Sequence, residues 1–251
     1  EKGQIQEAAA LTLDVAQFGR DLGYNGTLNS DMVALAIIGL ALDELREILF
    51  SSDLKPDQAA DIARSLDLLD QTFHQHAHSL LNNVASFELL TLLSGEVNRP
   101  KIQGLAHVWR FGVSPRVMCV QAADTYERCM RRLADSDSKP WAEAQKIHAE
   151  VEAERLASKN PVLDIYLPGM AATARAGRET RSHLRLLRAL AHFKAIGEIL
   201  ELDDPFGTKM LHRKTETRFI LWSVARDGVD DGGTGTWKTN GKDIVLEIPL
   251  K

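Results

Sequence analysis

Near Leu200 the periodicity of this chain changes, so the residues before and after that point answer to different folding rules. From Gln4 to Leu200 apolar residues recur at helical spacing, i, i+3, i+4 and i+7, which gathers them on one side of an α-helix. From Met210 onward the runs are short, rich in β-branched and aromatic residues, and alternate with a period of two. The expected fold is therefore mainly α: an irregular helical bundle over residues 1–200, followed by a small three-stranded antiparallel β tail over 203–251, an α+β arrangement.

Within the body, helix boundaries are read from caps and breakers. Gln4–Leu22 ends near Gly23, and Ser30 caps a helix to Phe50 with Asp31 in its first turn. Pro56-Asp57 opens a third that the pattern extends to Leu93, ahead of Gly95 and Asn98-Arg99-Pro100. Ser114-Pro115 begins a fourth to Leu133, Ser138-Lys139-Pro140 a fifth to Ala157, and Pro168-Gly169 precedes a sixth to Leu200. No unit of 20–50 residues repeats, which favours an irregular bundle over a solenoid.

In the tail, Met210–Glu216 and Phe219–Ala225 read as a hairpin with its corner at Thr217-Arg218. Phe219–Val224 is apolar on both faces, as a central strand covered on both sides must be. Ile244, Leu246 and Ile248 define a third strand, and Pro249 places it at an edge, since proline cannot donate to a ladder. Between the second and third strands Asp227, Asp230, Asp231 and Asp243 are interleaved with Gly228, Gly232, Gly233, Gly235 and Gly241. Crowded carboxylates repel unless a cation or solvent screens them, so the stretch is either a solvated acidic turn or the site of a hard cation such as calcium, which takes about 6–8 oxygen ligands from carboxylates, carbonyls and water. An EF-hand is excluded, because Val229 and Lys238 stand where that loop needs its third and twelfth ligands.

Asp204-Pro205-Phe206-Gly207, a strand ending Trp222-Ser223-Val224, Asp227-Gly228, Gly232-Gly233 and Asp243-Ile244 together resemble the C-terminal β region of the major pseudopilins of type II secretion systems. They also resemble the tails of large uncharacterised helical proteins of planctomycete-type bacteria. The pseudopilin resemblance implies a calcium ion held in the last loop, with Asp227 and Asp243 as ligands, followed by Asp230, Asp231 and Ser223. It spans about a fifth of the chain, and Ala225-Arg226 and the long insert Thr234–Lys242 with Trp237 depart from the family pattern. The long N-terminal helix of a pseudopilin has no counterpart here, so the local fold and its calcium are carried over and pilus assembly is not.

Three features of the body suggest other chemistry. His74 and His78, four apart on one helical face, have a zinc-binding spacing or form a plain histidine face. Arg175, Arg178, Arg181, Arg185 and Arg188 make a basic stripe that fits phosphate, a carboxylate-rich partner or a solvated face, with Leu184, Leu187 and Ala191 opposite. Cys119 and Cys129 lie about 15 Å apart along one helix, too far for a disulfide with each other. No GxGxxG, P-loop or GxSxG is present.

A net charge of −5 argues against nucleic acid as a partner. The most apolar run, Met32–Leu42 between Asp31 and Asp43, is too short to span a membrane. The chain opens at Glu1 rather than methionine, which leaves room for a signal peptide or membrane anchor upstream. The expectation from sequence is a non-enzymatic structural or interaction protein of the bacterial envelope, periplasmic or exported, with a calcium-stabilised tail and a protein partner. A ligand- or zinc-binding module using His74 and His78 is the alternative, and a hydrolase the weakest reading, since no nucleophile and base pair can be named.

Overall fold

A computed structural model describes residues 2–24, 28–51, 54–73, 115–238 and 242–249. Among the described residues the chain is mainly helical and closes with a small three-stranded antiparallel sheet. The helices are α1 (Lys2–Gly23), α2 (Leu28–Phe50), α3 (Pro56–Thr72), α4 (Pro115–Ser136), α5 (Trp141–Ser158) and α6 (Pro161–Ile196). The strands are β1 (Leu211–Lys214), β2 (Arg218–Ser223) and β3 (Ile244–Pro249). None of the described helices is long and apolar enough to cross a membrane.

α6 organises the rest. It packs against α2, α3, α4 and α5 and against the sheet, and Leu184, Leu186, Leu187 and Leu190 along it are fully buried. Pro168-Gly169 does not precede this helix, as the sequence suggests, but lies inside it. A mid-helix proline costs a hydrogen bond, and the apolar positions Leu163 and Leu167, buried on the turns before it, supply packing that outweighs the loss. The helix also stops short of Leu200, at Ile196, because Gly197 takes a left-handed conformation and its N–H closes the last turn on Phe193 O at 2.8 Å.

The strand order β1-β2-β3 is antiparallel throughout, with β2 central and β3 at an edge, as its apolar faces and Pro249 lead one to expect. The turn sits slightly earlier than Thr217-Arg218: Thr215 closes on Arg218, which already belongs to β2. One face of the sheet, with Phe219, Leu221, Ile244, Leu246 and Ile248, joins a continuous hydrophobic core with Leu45 and Leu49 of α2 and Leu184 and Leu187 of α6. Phe219 stacks on Phe193 of α6 with ring centroids 4.8 Å apart. The body and the tail thus share one core. The other face, Ile220, Trp222 and Val245, forms a separate small cluster, and what covers it is the acidic loop between β2 and β3.

Candidate functional site

The loop from Arg226 to Asp243 is held at both ends by the helical body. At its start the Arg226 carbonyl accepts from Trp141 Nε1 at 2.7 Å and from Gln145 Nε2 at 2.8 Å, and the Arg226 guanidinium pairs with Glu179 of α6. Toward its end Trp237 is wedged between α2 and α6. Its indole N–H donates to Asp43, Arg46 lies over its ring at 5.5 Å, and its carbonyl accepts from His183 Nε2 at 2.8 Å. Burial pushes the His183 pKa down, which keeps the ring neutral while Nε2 carries the proton that this bond needs.

Between these anchors the carboxylates are arranged on the outer face of the sheet. Asp227 Oδ1 accepts the Val229 N–H at 3.0 Å, an Asx turn that uses this side chain on its own loop. Asp230 Oδ1 accepts both Trp222 Nε1 at 3.0 Å and the Gly232 N–H at 2.9 Å, pinning the loop over the Trp222 ring. Asp243 is fully buried. Its Oδ2 accepts the Gly233 N–H at 2.8 Å, while its Oδ1 is inaccessible to solvent and makes no hydrogen bond of normal geometry among the described residues. Burial raises the Asp243 pKa, and the Asp230 and Asp231 carboxylates beside it push the same way, against the Gly233 and Asp231 amides.

Ser223 is turned elsewhere. Alternation along β2 sends its hydroxyl to the inner face, where it donates to Asp204 Oδ1 at 2.7 Å and lies 3.2 Å from Ser182 Oγ of α6. The structure therefore leaves Asp230 and Asp231 near enough for their charges to act on Asp243, commits Asp227 Oδ1 to its own turn, and uses Ser223 to tie the sheet to the segment after α6. Asp204 is the hub of that tie, accepting also from the Phe206 and Val224 amides at 2.9 Å each. A carboxylate ahead of proline is a turn signal in the sequence, but nothing there shows that it will be buried.

No group of three or more His, Cys, Asp or Glu among the described residues is arranged as a ready-made metal site. What lies around Asp243 is oxygen-rich: a buried carboxylate oxygen with no hydrogen bond of normal geometry among the described residues, the nearby charges of Asp230 and Asp231, and glycine-rich backbone.

Elsewhere the candidates resolve differently. His74 and His78 lie outside the described residues, as does the side chain of Cys119. Cys129 is a buried free thiol whose pKa is pushed up to about 11, chiefly by burial, and is therefore inert. Of the arginine stripe, Arg175 stays exposed, while Arg178, Arg181, Arg185 and Arg188 are taken up by the protein itself. Arg181 and Arg185 clasp the buried Asp70 of α3 at 2.6 and 2.9 Å, and Arg188 pairs with Asp67 at 2.7 Å. Arg178 donates to the carbonyls of Ser136, Asp137, Lys139 and Pro205 and lies over the Trp141 ring.

The packing does bring together a serine and a histidine that the sequence holds apart, Ser136 and His148, at 3.0 Å. Ser136 Oγ donates to Leu133 O at 2.6 Å, so its proton is committed and His148 Nε2 must be the donor between them. That polarity is the reverse of what nucleophile activation requires.

Comparisons with protein-family models, with curated proteins and with solved structures find no match.

Proposed function

We propose that the chain is a non-enzymatic structural or interaction protein of the bacterial envelope whose C-terminal sheet is rigidified by calcium bound in the acidic loop. The observation that carries the reading is the buried Asp243 carboxylate, whose Oδ1 makes no hydrogen bond of normal geometry among the described residues, beside Asp230 and Asp231. A buried carboxylate whose charge no cation offsets costs several kcal/mol unless it is protonated. Calcium supplies the missing charge, and with it the loop becomes a fixed cover for Ile220, Trp222 and Val245. An exported or periplasmic setting is where calcium is plentiful enough to serve this role, and the resemblance of the tail to pseudopilins points the same way.

The test is thermal unfolding of metal-stripped protein with calcium, magnesium, zinc or chelator. Calcium at a hundredfold excess over its Kd stabilises by about 2.7 kcal/mol, a rise in Tm of roughly 5–10 °C for a chain of this size. Asp243→Asn is expected to abolish that rise while unfolding no earlier than the wild type in chelator, because it removes the uncompensated charge. A wild type indifferent to calcium would sink the proposal.

A further inference from the structure

From Met32 to Leu42, between Asp31 and Asp43, α2 is apolar on every side. Leu35, Ile38, Leu42, Leu45 and Leu49 are buried against the rest of the protein, yet Val33 and Leu40 stand on the opposite side, Leu40 with 68% of its surface exposed. A helix that is hydrophobic all round is one that packs on both sides. α1 repeats the pattern. Ala9, Ala16 and Gly19 are buried, with Gly19 against Ala34 and Ile38 of α2, while Leu11, Val15, Phe18 and Leu22 are exposed. At 100° per residue in two antiparallel helices, both exposed stripes fall on the side of the hairpin that faces away from α3 and α6.

We infer that this face is the seat of a second copy of the chain, the two α1–α2 hairpins closing about a two-fold axis into a four-helix bundle. The stripe Leu11, Val15, Phe18, Leu22 advances by four, three and four residues, the seam spacing of helices that pack knobs into holes. Its size also fits. Helices of 22 and 23 residues are about 33–35 Å long. Side by side at about 8–10 Å they present a footprint of roughly 600–700 Å². That approaches the ~800 Å² per partner of a stable interface. A two-fold contact needs only one patch that meets its own copy. Asp14, Asp21, Glu44 and Glu47, exposed on the same two helices, oppose an anionic membrane as the occupant.

Sedimentation equilibrium of the full chain tests this. The expected mass is twice 27.8 kDa, and Phe18→Glu and Leu40→Glu, each made separately, are expected to weaken association at least tenfold. Both side chains are largely exposed in the protomer, so far-UV circular dichroism stays that of the wild type. Leu156→Glu, at an exposed apolar position on α5, is expected to leave the dimer intact. A wild type that stays at the protomer mass up to roughly 0.1 mM, a dimer that survives both substitutions, or dissociation by Leu156→Glu as readily as by the other two would overturn the inference.

Discussion

Trp237 donates its indole N–H to Asp43 Oδ1 at 2.5 Å, joining the acidic loop to α2 across 194 residues of chain. The same indole is flanked by Arg46 and His183, so the loop that covers the outer face of the sheet is also bolted to the body. A hydrogen bond to a charged group contributes about 1.5–3 kcal/mol. Asp43→Ala is expected to cost about that in denaturant unfolding, and Trp237→Ala about 3–5 kcal/mol. Because the clamp and the proposed calcium share one loop, the coupling is reciprocal. Calcium affinity measured by calorimetry should fall in Trp237→Ala by the factor by which calcium strengthens the clamp. An unchanged affinity would mean that the two ends of the loop order independently.

Asp70 sits between Arg181 and Arg185 with 5% of its surface exposed. Burial by itself would raise its pKa, but the two guanidinium groups outweigh it and the net shift is downward. A carboxylate with a depressed folded pKa stabilises above its unfolded value, near 4, and loses that contribution as pH falls below it. Asp70→Asn is expected to destabilise by about 3–5 kcal/mol at neutral pH, because two arginines lose their counter-charge. Its stability should also fall less steeply than that of the wild type below pH 4. Urea midpoints across pH 2.5–7 would show both effects.

His148 predicts a second, separate acid step. Burial, with Arg175 and Arg178 nearby, brings its pKa down to about 4 in the folded protein, from about 6.5 when unfolded. Neutral imidazole is what the core accepts, so the contribution is complete above about pH 6.5, is lost progressively as pH falls toward 4, and is constant below. The difference corresponds to something on the order of 3 kcal/mol. His148→Gln, which can still donate to Ser136, is expected to flatten the stability profile between pH 6.5 and 4. If wild type and variant run parallel through that window, the histidine is not titrating against the fold.

How much of this was legible depended on how far apart the partners lie in the chain. Helix starts at Pro56, Pro115 and Trp141 and the central place of β2 follow from local signals: a proline cap, a strand apolar on both faces, a proline at an edge. The arginine stripe is visible in sequence, but its partner Asp70 is 111 residues from Arg181, and nothing local pairs them. Ser223 and Asp243 both lie in segments that resemble a calcium loop, yet strand alternation sends Ser223 to the inner face while Asp243 is buried beneath the loop. Pro168 signals a helix start by itself and is overruled by tertiary packing along α6.

Gly235 gives the sharpest test of the loop's geometry. A Cβ placed on it would fall 1.7 Å from the carbonyl oxygen of Asp243 and 2.6 Å from its carbonyl carbon, distances no side chain can occupy. Both atoms belong to backbone, so neither can swing aside as a flexible side chain would. Gly235→Ala must therefore push the loop segment preceding Trp237 away from Asp243 and break the bridge by which Thr236 O accepts the Val245 N–H. The expected result is a loss of about 2–4 kcal/mol, together with loss of the calcium-dependent rise in Tm, because Asp243 no longer holds its place beside Asp230 and Asp231. Gly232→Ala makes the comparison: its added methyl meets nothing within 4 Å, and only its positive φ of 71° resists the change. It should cost about 1 kcal/mol and keep the calcium response. Equal losses in the two variants would show that the loop fails through backbone strain rather than through displacement of Asp243.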